Sequence, residues 1–161
     1  KLAEIAILTA RLARDFDVEP RVAMLTFSNF GSTRHERVER VRTAVDLVRR
    51  REPGLVVDGD LQANVALNEE LLNGMYPHNL LKHEANVLIF PNLESGNIAY
   101  KLMQRLASAE VVGPILVGMR RPVHILQRGD EVKDIVNLAA IAVVEAQKLE
   151  AGARVGHSVA T

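Results

Sequence analysis

Three short runs rich in strand formers, Arg21 to Phe27, Leu55 to Asp58 and Asn86 to Phe90, each give way to a stretch with helical apolar spacing. That alternation constrains the chain more than any other feature. A strand apolar at consecutive positions has to be covered on both faces, and strands joined through helices come out parallel. The pattern predicts an α/β fold of three α/β/α layers around a mostly parallel sheet.

The helical stretches fit this frame. Lys1 to Phe16 reads as an amphipathic helix stopped before Pro20. A long helix is expected from about Arg34, with Val38, Val41, Val45 and Val48 inward and Arg37, Arg40, Asp46 and Arg49 outward, ended by Glu52-Pro53-Gly54. After a turn at Gly59-Asp60, a third helix carries Leu61, Val65 and Ala66 and extends toward Asn73. Gly74 to Glu84 reads as a loop, Pro91 to Asn97 as a turn and Ile98 to Ala107 as a helix. Two further β-type runs follow, Val111 to Val117 and Val123 to Leu126. The polar knot Gln127-Arg128-Gly129-Asp130 then leads into a last helix, Glu131 to about Leu149. In that helix Leu138 to Val144 is apolar around the whole circumference, which predicts a cover beyond the local sheet: a missing lobe or a second subunit.

Composition enters as a set of exclusions. Twenty basic and twenty acidic residues cancel, so no global field draws in nucleic acid or an acidic membrane. Leu138 to Val144 is the longest wholly apolar run, far below the roughly 18–20 residues of a membrane span. The chain has no cysteine and no pattern of a secretory leader, which fits the cytoplasm. It starts without Met and in mid-helical stride, so a piece of a longer chain is expected. The five histidines show no metal-ligand spacing, and no metal site is expected.

In an open parallel sheet, ligands gather beyond the carboxyl ends of the strands. Three polar loops fall there: Ser28 to Thr33, Asp58 to Asp60 and Pro91 to Asn97. Ser28-Asn-Phe-Gly-Ser-Thr33 combines Gly31, which allows a close backbone approach, with the hydroxyls of Ser32 and Thr33 near a helix start; it reads either as a phosphate site or as helix capping. Asp58-Gly59-Asp60 presents two carboxylates, read as a turn at a helix start in preference to metal or acid–base chemistry. Asn97, Tyr100 and Lys101 share one helical turn after Gly96, facing either a ligand or solvent. At the polar knot, Arg128 and Asp134 offer a clamp for phosphate or carboxylate and a carboxylate to orient it, or a local ion pair and cap.

Several segments, taken together and in order, resemble the phosphate acetyltransferase / phosphate butyryltransferase family. They are Thr26-Phe-Ser-Asn-Phe-Gly-Ser32, Val57-Asp-Gly-Asp-Leu-Gln62, Ala85-Asn-Val-Leu-Ile-Phe-Pro-Asn-Leu93, Gly96-Asn-Ile-Ala-Tyr-Lys101, Gly113-Pro-Ile-Leu-Val-Gly118 and Gln127-Arg-Gly129 followed by Asp134-Ile-Val-Asn137. Ser28-Asn-Phe-Gly-Ser32 and Arg121-Pro-Val-His-Ile-Leu-Gln-Arg-Gly129 are similar to the branch fused behind the catalytic part of bacterial NADP-dependent malic enzymes.

The resemblance implies an isocitrate/isopropylmalate-dehydrogenase-like fold of two α/β lobes with a cleft between them. Residues 1–119 are then the second lobe, 120–150 a strand and helix returning to a first lobe absent from this chain, and 151–161 a tail. It also implies that a Ser in place of Gln127 contacts the CoA thiol region and that Asp134 is the proposed base. An amide at 127 removes a small hydroxyl, and Asn29-Phe30 stands where acetyltransferases typically carry Thr-Lys. Loss of one placed polar contact lowers rates by roughly 10²–10³. Acetyl transfer is therefore expected to be weak or absent, with Arg128 and Asp134 kept as remnants of the motif and no residue expected to be catalytic.

A binding set of Ser28, Gly31, Ser32, Asn97, Tyr100, Lys101, Gln127, Arg128 and Asp134 is expected to receive acetyl-CoA as an allosteric effector. The working acetyltransferase and a purely structural dimerisation domain are the alternatives. By the same resemblance the partners are a second copy, the first lobe and malic-enzyme domains, the last with NADP and a divalent metal.

Overall fold

The computed structural model describes residues 1–107, 109 and 111–158, the last eight by backbone alone. The chain forms two compact units, Lys1–Arg105 and Leu106–Thr161.

The first unit runs α1 (Leu2–Asp15), β1 (Arg21–Leu25), α2 (Glu36–Arg51), β2 (Val56–Leu61), α3 (Ala63–Ala66), α4 (Glu69–Met75), β3 (Val87–Ile89) and α5 (Leu93–Leu106). Its three strands are parallel in the order β2-β1-β3. The period-two alternation of β1 explains the layers. Val22 and Met24 point into one apolar cluster with Ala3, Ala6, Ile7 and Ala10 of α1 and Val41, Val45 and Val48 of α2. Ala23 and Leu25 point into the other, with Val65 and Ala66 of α3, Leu72 of α4, and Leu81 and Ala85. Consecutive apolar residues in β1 thus serve two cores, and helices cover both faces of the sheet as the pattern predicts. Each fully buried Val or Leu contributes roughly 1.5–3 kcal/mol of transfer free energy.

Several boundaries differ from the sequence reading, each for a local reason. Gly59-Asp60 is no turn but the interior of β2. The ladder pairs Met24 with Gly59 and Leu25 with Leu61, so Asp60 is an extra residue, a bulge. The single helix expected toward Asn73 is two, because Asn68 breaks it and caps α4 by accepting the Leu71 N–H at 2.9 Å. α4 continues through Gly74 and Met75, positions assigned to a loop. α5 starts at Leu93 instead of Ile98: the Asn92 side chain accepts the Ser95 N–H at 2.8 Å and opens the helix inside the supposed turn.

The second unit has one helix among the described residues, α6 (Val132–Ser158). It runs past Leu149 and through most of the segment expected as a tail. Val111 to Val117 and Val123 to Leu126 carry no strand, because strand identity is pairwise and no described residue forms a ladder with them. The second run lies against α6 at His124, whose Nε2 is 3.1 Å from Glu145 Oε2. Of the all-apolar stretch, Leu138 and Ile141 are buried, whereas Val143 and, two residues before the stretch, Val136 are 55% and 60% exposed. No helix among the described residues is long and apolar enough to cross a membrane.

Candidate functional site

The three parallel strands end on the same side of the first unit, and a cavity of about 270 Å³ opens there. Thr26 and Phe27 after β1, Ala63 at the start of α3, Phe90 and Asn92 after β3, and Ser95 of α5 line it, with Arg37 of α2 as its cation. The walls are mostly apolar, with a few convergent polar groups, the usual composition of a small-molecule site. The Asn92 cap places the N-terminus of α5 on this cavity, so its partial positive charge adds to that of Arg37.

Beside the cavity, the Ser28–Thr33 loop is closed on itself. The Ser28 N–H donates to Thr26 Oγ1, Asn29 N–H to Ser32 Oγ, Ser32 N–H to the Asn29 carbonyl and Thr33 N–H to Ser28 Oγ. The Phe30 N–H donates to the Asp60 carbonyl at 2.8 Å and Gly31 N–H to Asp60 Oδ1 at 2.9 Å. Every backbone N–H of the loop therefore has an internal acceptor, and Ser28 is fully buried. The loop also stops short of a helix: α2 begins at Glu36, and its cap is His35, whose Nδ1 accepts the Arg37 N–H at 3.1 Å. Neither Ser32 nor Thr33 caps it. Phe30 and Gly31 both hold positive φ, +48° and +77°, and the second is the less strained because glycine has no Cβ.

On the other side of the loop lies a second cavity of about 390 Å³, lined by Phe30, Arg42, Arg49, Asp58, His78 and their neighbours. Its charges are largely matched internally. Buried Asp58 accepts from Arg49 Nη2 at 2.7 Å and from the Leu80 N–H at 2.6 Å, a structural ion pair that ties α2 and the loop after α4 to β2. Phe30, Tyr76 and His78 form a ring cluster, with the Phe30 centroid 5.0 Å from Tyr76 and 4.7 Å from His78.

Asn97, Tyr100 and Lys101 lie in α5, inside the helix and not at its start. Lys101 Nζ sits over the Tyr100 ring, 4.6 Å from its centroid. In the second unit the polar knot is tight. The Gln127 N–H donates to Asp130 Oδ2 at 2.6 Å, and Asp134, in the first turn of α6, reaches back to accept the N–H of Glu131 just before the helix at 2.8 Å. Gln127 and Arg128 are exposed and Asp134 partly so. Among the described residues no three His, Asp or Glu side chains are placed to hold a metal ion.

Of the residues that line the strand-end cavity, sequence reasoning placed Asn92 and Ser95 within the Pro91–Asn97 ligand loop without singling them out, and it missed Thr26, Phe27 and Arg37 as site residues. Position was their signal, since they directly follow β1 and β3 or face them from α2, but single residues there carry no motif.

Residues 1–143 match the phosphate acetyl/butaryl transferase family. The chain is similar to the phosphate acetyltransferase of Clostridium acetobutylicum, 46% identical over 149 residues that cover 92% of this chain and 45% of the relative. It is 45% identical over 149 residues to the NADP-dependent malic enzyme of Escherichia coli, covering 91% of this chain and 20% of that protein. A solved phosphotransacetylase from Streptococcus pyogenes superposes with a TM-score of 0.87 at 41% identity, over 91% of this chain and 45% of its own. The chain thus spans less than half the length of these relatives.

Proposed function

The chain belongs to the phosphate acetyl/butaryl transferase family, and on that premise we propose that it is part of a cytoplasmic phosphate acetyltransferase that interconverts acetyl-CoA plus phosphate with CoA plus acetyl phosphate. The observation that carries this reading is the match, over nine-tenths of the chain, to a phosphate acetyltransferase. The strand-end cavity supports it: apolar walls suit an acyl thioester, while Arg37 and the N-terminus of α5 suit an anionic group. In the direction of acetyl-CoA synthesis, Asp134 takes the proton of the CoA thiol. The thiolate attacks the acetyl carbonyl carbon, the bond from that carbon to the phosphate oxygen breaks, and phosphate leaves. The Glu131 N–H fixes the Asp134 carboxylate for that role.

Gln127 favours a second reading. With an amide where the family resemblance implies a serine, the domain binds acetyl-CoA without turning it over and acts, in a malic enzyme, as an effector-binding and self-associating part. Effector action then requires acetyl-CoA to bind two conformations unequally. The donors for a divalent metal, absent among the described residues, and the nicotinamide site would in that case be supplied by other parts of the longer protein.

One pair of experiments on the full-length protein separates the two. An assay with CoA and acetyl phosphate should yield thioester if the first reading holds. Calorimetric heat on adding acetyl-CoA, without turnover, supports the second; neither heat nor turnover removes both. Gln127→Ser is expected to raise turnover by roughly 10²-fold if the amide alone suppresses the reaction.

A further inference from the structure

We propose that Asp60 is a positioning residue for the ligand site: it takes the place of a bound anion against the two converging N–H groups of Phe30 and Gly31, and so fixes the shape of the loop that continues the cavity rim.

Phe30 and Gly31 are consecutive residues of positive φ, a conformation that turns successive N–H groups toward one point. Such concavities bind anions. Here the point is occupied from within, by the Asp60 carbonyl on the Phe30 N–H and by Asp60 Oδ1 on the Gly31 N–H. Asp60 is wholly buried, and its second carboxylate oxygen, Oδ2, has no hydrogen-bond partner among the described residues. A buried carboxylate held by so few donors is costly to the fold, so it is a poor choice for stability alone. The bulge in β2 inserts this residue under the loop and shifts the register by one, so that Leu61 pairs with Leu25.

The clamp reaches the cavity through a short chain of contacts. The Gln62 N–H donates to Asn29 Oδ1 at 2.8 Å, and Gln62 Nε2 donates to the carbonyl of Phe27 at 2.8 Å. Thr26 Oγ1 accepts the Ser28 N–H at 2.9 Å. Thr26 and Phe27 are cavity walls. The end of β2 therefore holds both the loop and the rim, with the Asp60 side chain as its charged contact.

This role rests on acetyl-CoA binding as proposed above, and the test has one arm that does not. In the full-length protein, the Phe30 and Gly31 amides should exchange with deuterium at least about 100-fold more slowly than unprotected loop amides. Unprotected amides would overturn the assignment whatever the protein binds, and no variant is needed to see it. Asp60→Ala should release the Gly31 amide, leave the Phe30 amide on the main-chain carbonyl that alanine keeps, and weaken acetyl-CoA binding by about tenfold or more. Asp60→Asn, which keeps a carbonyl oxygen for the Gly31 N–H, should restore affinity to within about threefold of the native protein even where its melting temperature falls. Equal loss of affinity in the two variants, or native affinity in the alanine variant, would overturn the positioning role. If the native protein gives no heat with acetyl-CoA, the ligand reading fails, and the exchange arm still decides the clamp.

Discussion

At Gly59 the backbone holds φ at +150°, and a Cβ built there would lie 2.6 Å from the carbonyl oxygen of Met24 on the neighbouring strand. Backbone cannot yield as a flexible side chain can, so Gly59→Ala should destabilise the first unit by about 3 kcal/mol, read as a lower urea midpoint at unchanged slope. The contrast with Gly31 is useful. A Cβ there would meet the guanidinium of Arg42 at 2.6 Å, the far end of a movable side chain, but φ of +77° still disfavours any other residue. Both glycines adjoin Asp60, Gly59 in sequence and Gly31 through its N–H, so each helps to shape the loop clamp. The candidate site was only partly legible at this scale. Ser28-Asn-Phe-Gly-Ser32 marked the loop that follows the cavity residues Thr26 and Phe27, yet its serines bond within the loop, and Asp60, the group that organises it, read as the end of a turn.

Among the elements, α5 is the informative one. Its start depends on Asn92, and none of its residues is buried in this chain. Asn92→Ala should remove about 1 kcal/mol from the helix terminus. Because that terminus lies on the strand-end cavity, the same variant should raise the acetyl-CoA dissociation constant several-fold, a change measurable by calorimetry while circular dichroism stays nearly constant. A cap is a local feature that the sequence can display, and Asn-x-x-Ser here did so weakly. The neighbouring Pro91 and Gly96 gave the stronger signal, for a turn. Gly96 lies in the helix with its open side against Phe90, whose ring begins 3.6 Å from the position a Cβ would take. The absent strands at Val111–Val117 and Val123–Leu126 make the complementary point: β propensity states what a segment suits, and a ladder needs a second segment.

Across the whole molecule, the two cores of the first unit contrast with apolar faces left open. Ile98, Leu102 and Leu106 on α5 are 60%, 52% and 79% exposed, as are many apolar residues of α6. Faces of this kind favour association. Expressed by itself, the chain should sediment as concentration-dependent oligomers. The double change Ile98→Glu with Leu102→Glu should shift it toward monomer while altering the stability of the first unit by less than about 0.5 kcal/mol, since neither residue enters its cores. A monomer across the accessible concentration range, before any substitution, would show that these faces are not adhesive.

The amino-acid sequence by itself determined the α/β class, the three parallel strands, the inward faces of α1 and α2 and the family, because each depends on short-range periodicity or on motifs that survive in linear order. Only the tertiary structure decided that Asp60 sits under the loop, that Asp58 is committed to Arg49, and that the cavity forms where β1 and β3 end. Those facts depend on which residues from separate segments meet, and on one extra residue in a ladder, and no local spacing encodes either.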